Sequence, residues 1–179
     1  FGLSQYEKML KNNLLLINKF FDKKEVMERD HDKWFDKSYG KKARWTHLLR
    51  PCSKISTLRT PHNAQPFLKK TFEEIWEKCG TELLEMSTHR FRNEKDYTPE
   101  FFRTWQICSG NFMPYNTYKD TKMFPLVIKS KQAIDAVTNQ KYSLVCLNDN
   151  QHIPNYDKTI RNIRDSFEKI LPEKSSFEL

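Results

Sequence analysis

Glycine is scarce in this chain, 4 in 179 residues. Phosphate-binding loops of the G-x-G-x-x-G and P-loop kinds need glycines spaced so that the backbone can approach the phosphates. No such run occurs, which excludes a Gly-rich phosphate cradle. Long apolar runs are missing too. The longest uninterrupted aliphatic stretch is Leu14-Leu15-Leu16-Ile17, far short of the ~20 residues of a membrane-spanning helix. Cysteine is present but unpatterned: Cys52, Cys79, Cys108 and Cys146 are scattered, with no C-x-x-C pair and no zinc spacing. Four cysteines could form two disulfides, but a chain with ample helix and core does not need them, and a reducing cytoplasm is the simpler reading. Cys79 and Cys146 fall on apolar faces and read as plain core residues. There is no internal repeat and no low-complexity tract.

What is present argues for a folded domain. The 13 Phe, 7 Tyr and 4 Trp supply core material that a disordered chain lacks, and the length suits one domain. Lys and Arg total 31 against 23 Asp and Glu, a net charge of +8. That balance favours acidic partners such as nucleotide diphosphates, anionic glycans or anionic lipid. A solvated Lys-rich surface gives the same excess.

The periodicities outline the elements. Ser4 and Glu7 have capping-box spacing, and Leu10, Leu14 and Ile17 follow at helical intervals, predicting a helix over residues 5–20. A second helix is expected from Asp22 to about residue 35, with Asp30, His31 and Asp32 on a solvated face. Those three cannot converge on a metal, because adjacent helical residues diverge around the axis. Residues 38–60 read as basic and irregular. Arg44, Arg50 and Arg59 sit there among Trp45, Leu48 and Leu49, a mixture that suits either a ligand or a loop packed on the core. Thr98 and Pro99 start a helix whose stripe is Phe101, Phe102, Trp105 and Cys108. Two strands are expected at residues 123–128 and 142–147, with a short helix near 131–137 between them. A last helix runs over about 156–171. The fold class is therefore α/β and helix-rich, with a few strands: a helical part over 1–115, a strand-containing part over 123–150, and the C-terminal helix.

The most informative stretch is residues 61–92, PHNAQPFLKKTFEEIWEKCGTELLEMSTHRFR. Asn63 can cap a helix in which Phe67, Thr71, Ile75 and Cys79 recur every four residues, with Leu68, Phe72 and Trp76 beside them. Gly80 reads as its C-terminal stop. His62 precedes the helix, and His89, Arg90 and Arg92 follow the segment beyond it. A helix N-terminus suits phosphate, so a histidine there with an arginine returning to it could run phosphoryl chemistry. Taken by themselves, the same residues read rather as a capping or core histidine and a surface arginine beside Glu94 and Asp96.

These residues resemble the third conserved block of the Stealth family, the sugar-phosphate transferases that include bacterial capsule polymerases and the catalytic subunit of the lysosomal-enzyme GlcNAc-1-phosphotransferase. The resemblance rests on Pro61-His62, on Phe67-Leu68 with Glu73-Glu74, and on Ser87-Thr88-His89-Arg90-Phe91-Arg92, followed by Asp96 and Phe101-Phe102. Val145-Cys146-Leu147-Asn148-Asp149-Asn150, the helix after it and the ending from Leu171 onward are similar to the fourth block. The family's first two blocks, which carry acidic nucleotide-sugar motifs, would lie upstream of Phe1. The chain therefore reads as the C-terminal part of a larger nucleotide-sugar transferase catalytic domain, and an upstream segment would hide any signal peptide.

The resemblance implies transfer of a sugar 1-phosphate from a UDP-sugar such as UDP-GlcNAc to a glycan acceptor hydroxyl, releasing UMP, in capsular or exopolysaccharide synthesis. It makes His62 the base and Arg92 the phosphate clamp. His89, Arg90, Asn148 and Asp149 become substrate contacts. Mg²⁺ would enter with the diphosphate, since that ion needs only one or two protein carboxylates beside phosphates. No residues form a dedicated metal site. The expected location is the cytoplasm, with peripheral contact to anionic membrane at the inner face. The alternative is a non-catalytic basic module for nucleic acid or anionic glycan. No recognised nucleic-acid motif occurs, so a nucleic-acid partner is not expected. An inactive helical remnant of the enzyme is a third reading.

Overall fold

The apolar stripes of four helices meet around Trp105, which is fully buried and rings with Phe20, Phe21 and Phe101 at centroid distances of 5.0, 4.9 and 5.8 Å. The computed structural model describes residues 2–56, 64–149 and 152–177. They divide into two units: one holds residues up to 56 together with 65–116, and the other holds residue 64 and those from 117 onward.

In the first unit, α1 (Gln5–Phe20) starts at the expected capping box: the Ser4 backbone N–H donates to Glu7 Oε2 at 2.8 Å, and Glu7 N–H donates back to Ser4 Oγ. Asp22 caps α2 (Lys23–Arg29) through the N–H groups of Lys24 and Glu25. The single helix expected from there to residue 35 is two. Asp30 leaves helical geometry (φ −113°, ψ 32°), and α3 (His31–Trp34) begins after it. The break has a use. The Asp30 carboxylate pairs with Arg29 and Lys33 and packs against Gly110, whose φ of +75° only glycine adopts freely.

The region expected to be irregular is helical in part. A 3₁₀ segment, Lys37–Lys42, leads into α4 (Ala43–Leu49). The buried Lys23 ammonium donates to the carbonyls of Leu49 (2.5 Å) and Cys52 (2.9 Å), giving the C-terminal end of α4 the cation it favours.

The central helix α5 (Lys69–Ser87) starts later and ends later than its sequence pattern suggests. The expected cap, Asn63, lies outside the described residues. Phe67 and Leu68 precede the helix, and the buried Gln106 of α6 (Pro99–Cys108) holds its start, accepting from Leu68 N–H at 2.8 Å and Thr71 Oγ1 at 3.3 Å. Gly80 does not stop it. Cys79 alone departs from helical angles (φ −130°, ψ 24°), and the buried row Thr71, Ile75, Cys79, Leu83 continues across the kink, so packing carries the helix through. Thr98 does stand at the N-cap of α6, but its hydroxyl accepts from the buried Asn13 of α1 (2.7 Å) while its N–H donates to Asn13 Oδ1 (3.1 Å). Cap chemistry is replaced there by a helix–helix clamp.

In the second unit, β1 (Thr121–Pro125), α7 (Leu126–Thr138) and β2 (Leu144–Asn148) form a βαβ element with parallel strands, and α8 (Tyr156–Ile170) packs on α7. Residues 126–128 were expected in the first strand. They open α7 instead: Pro125 ends the strand, and Leu126 is buried on the helix face shared with Ala133, Ala136 and Val137. Burial overrides the β preference of Val127 and Ile128. This unit's core joins Phe124, Leu126, Ala133, Ala136, Ile153 and Ile163. The arrangement is helix-rich α/β, and no described helix is long and apolar enough to cross a membrane.

Candidate functional site

The loop between α5 and α6 is built by hydrogen bonds at every turn. Thr88 closes α5 by donating its hydroxyl to Glu85 O at 2.7 Å, and His89 N–H reaches Met86 O. Asn93 and Asp96 make a tight Asx-type turn. Asn93 N–H donates to Asp96 Oδ2 at 2.7 Å, and Lys95 N–H donates to Asn93 Oδ1 at 3.0 Å. The other Asp96 oxygen meets His89 Nδ1 at 2.5 Å. Asp96 is buried and His89 half-buried, so this pair lies at the base of the loop.

Helix α1 holds the loop from one side. Gln5 Nε2 donates to Arg92 O (2.5 Å), Lys8 pairs with Glu94, and Asn12 Nδ2 donates to Glu94 O (2.8 Å). These residues share one α1 face by their i, i+3, i+7 spacing. The Lys8 ammonium keeps the Glu94 carboxyl below its ordinary range, first by hydrogen bonding and then by charge.

Arg90, Phe91 and Arg92 project from this framework, all exposed; Phe91 is 77% accessible and Arg90 lies over its ring. The carboxylates nearest in sequence are taken, Glu94 by Lys8 and Asp96 by His89. Among the described residues no carboxylate forms a salt bridge with Arg90 or Arg92. The Arg92 charge is felt by Tyr6, whose hydroxyl is pushed up by burial first and by Glu100 next, with Arg92 opposing.

His89 and Asp96 also line a groove of about 850 Å³ between α1 and α5, together with Lys11, Lys95, Glu82 and Glu85. A histidine held at Nδ1 by a buried carboxylate keeps Nε2 for another partner, an arrangement that can orient a proton donor or acceptor. Arg90 and Arg92 do not line this groove.

His62 lies outside the described residues. Asn148 ends β2 opposite Pro125, and Asp149 follows it; both are exposed at the carboxyl end of a parallel strand, where α/β folds place ligands. They belong to the second unit and the His89–Arg92 loop to the first. Among the described residues no three His, Cys, Asp or Glu side chains form a metal cluster.

Sequence reading missed two features. Asp96 was treated as a neighbour of Arg92 rather than as the partner of His89. The α1 residues that hold the loop form a polar row at positions 5, 8 and 12 beside the buried Leu16–Ile17 stripe, which is a usable signal.

Proteins similar to this chain are bacterial polysaccharide phosphotransferases by name. The capsular polysaccharide phosphotransferase WcwK of Streptococcus pneumoniae is 33% identical over 167 residues, covering 93% of this chain and 50% of that protein. The exopolysaccharide phosphotransferase cps2G of Lactiplantibacillus plantarum is 28% identical over 177 residues, 98% of this chain and 52% of its own length. The receptor polysaccharide phosphotransferase WefC of Streptococcus gordonii is 30% identical over 169 residues, 94% and 50%. The chain thus spans about half the length of the curated relatives it matches. No protein-family model and no solved structure matches it.

Proposed function

We propose that this chain is the C-terminal part of a Stealth-type sugar-phosphate transferase of capsular or exopolysaccharide synthesis. The observation that carries the reading is its similarity, over 93% or more of its length, to proteins named polysaccharide phosphotransferases. The exposed Arg92, with its neighbouring carboxylates already engaged, agrees with it.

The donor is a UDP-hexose such as UDP-GlcNAc, and the acceptor is a glycan hydroxyl. The acceptor oxygen attacks the sugar-bearing phosphorus. A new O–P bond forms, the bond to the bridging oxygen breaks, and UMP leaves; the acceptor proton passes to a base. His62 is that base, since imidazole exchanges protons near neutral pH. Arg92 grips two phosphoryl oxygens through its planar fork. His89 and Arg90 position the donor from the same loop, and Asn148 with Asp149 contacts the nucleotide-sugar or its Mg²⁺. The work takes place in the cytoplasm, with the basic protein resting on the inner membrane face.

The test is nucleotide release. A protein extended to the relatives' length is incubated with UDP-hexoses, capsule-type acceptors and Mg²⁺, and UMP is separated from UDP by chromatography. Acceptor-dependent UMP is expected. His62→Ala should reduce turnover by at least about a hundredfold, the usual contribution of a general base, and Arg92→Lys should also be damaging. UDP as the product means ordinary glycosyl transfer and refutes the mechanism. Salt-dependent glycan binding without turnover moves the assignment to a binding module.

A further inference from the structure

Helix α4 has no buried side chain, although protein helices owe most of their stability to packing. Its half-buried residues, Ala43 and Thr46, lie on one side. On the other, Trp45, Leu48 and Leu49 stand at i, i+3 and i+4 and form one apolar stripe. They are 56%, 66% and 38% exposed. The helix is nonetheless held in place, because Lys23 fixes its C-terminal carbonyls.

The charges that flank the stripe along the chain are of one sign. From Lys37 to Phe72 the sequence contains no Asp or Glu. Lys41, Lys42 and Arg44 precede or open the helix and Arg50 follows it, with Arg44 over the Trp45 ring at 5.6 Å. An apolar stripe with an aromatic anchor, bracketed by cations, suits the boundary between lipid headgroups and acyl chains. A soluble polyanion would satisfy the cations but offer no hydrocarbon to Leu48 and Leu49. Protein interfaces are depleted in lysine and gain little from a ring of like charge.

We propose that α4 and its flanking Lys41, Lys42, Arg44 and Arg50 form the surface that docks this protein on an anionic phospholipid bilayer. The proposal locates the membrane contact of the functional reading but does not depend on its chemistry. Vesicle binding is measured without turnover, so failure of either leaves the other standing.

The experiment is co-sedimentation of the chain with vesicles of phosphatidylglycerol and phosphatidylcholine in equal parts, compared with phosphatidylcholine alone. Binding is expected only to the anionic vesicles, and it should fall as salt rises. Trp45→Ser with Leu48→Ser should weaken the partition by about tenfold or more, from the lost apolar burial. Lys41→Glu with Arg44→Glu should do the same through charge. Leu84→Ser, equally exposed on α5, should bind like the unmodified chain. Equal binding to neutral vesicles overturns the proposal. So does an apolar pair variant that binds as before, including one where dextran sulfate competes and the apolar residues are irrelevant. An apolar variant that loses thermal stability rather than vesicle binding assigns the stripe to protein packing and also overturns it.

Discussion

Asp96 uses both carboxylate oxygens, one on His89 Nδ1 and one on Asn93 N–H. An amide has a single acceptor oxygen, so Asp96→Asn can keep the Asn93 bond only by meeting His89 Nδ1 with an N–H, which forces the other imidazole tautomer and removes the carboxylate charge at a buried position. The expected cost is about 1–3 kcal/mol, read as a lower urea midpoint at unchanged m-value. A neutral result would mean the pair does not hold the loop. The thiols give a pH counterpart. Burial pushes Cys79 to about 11 and Cys108 to about 12, against an ordinary value of 9.0. Raised values mean that folding favours the neutral thiols, so their contribution is fully present below 9 and is lost as pH rises through 11 and 12. Iodoacetamide at mildly alkaline pH should therefore label the exposed Cys52 first and reach Cys79 and Cys108 only in denaturant, as mass spectrometry of the peptides would show. At this scale the sequence was informative about residue type and poor about pairing. His89 and Arg92 stood out by their chemistry. The bond from His89 to Asp96 joins residues seven positions apart in a loop that has no period, so nothing in the spacing announces it.

Elements were legible where one stripe had one partner. The α1 capping box and the Phe101, Trp105, Cys108 row of α6 appear as their spacing implies. They failed where tertiary contacts overrode a local signal: Leu126 drew residues 126–128 into α7, and the row through Leu83 carried α5 past Gly80. Two glycines separate these cases. At Gly80 an added Cβ meets nothing within 4 Å, and the helix runs on. Gly80→Ala should stabilise by about 0.4–1 kcal/mol. At Gly110 φ is +75° and the added carbon would lie 2.8 Å from Asp30 Oδ2, inside the cluster with Arg29 and Lys33. Gly110→Ala should destabilise by about 1–3 kcal/mol or more. Thermal melts of the two variants should move in opposite directions; a loss at Gly80 would show that its flexibility is needed for the Cys79 kink.

For the whole chain, the question is which of the groups that the proposed sugar-phosphate transfer would need lie in these residues. It is rich in cations, at net +8, and the loop arginines are exposed. Among its described residues no three His, Cys, Asp or Glu side chains form a cluster that could hold a metal. A diphosphate should therefore be drawn to it mainly by charge. Exposed charges act through screened water, so the attraction weakens with salt. The expected result of titrating this chain with UDP-GlcNAc is weak binding that declines as salt is raised and is reduced further by Arg92→Lys. Removing Mg²⁺ with EDTA should change the affinity by no more than about threefold, because no cluster of three ligand side chains among the described residues could hold the ion firmly. In a protein of the relatives' length, the proposed transfer with Mg²⁺ on the diphosphate implies that the same treatment abolishes UMP release. Strongly Mg²⁺-dependent binding by this chain alone would instead place the metal ligands within these 179 residues and make Asp149 the first position to substitute.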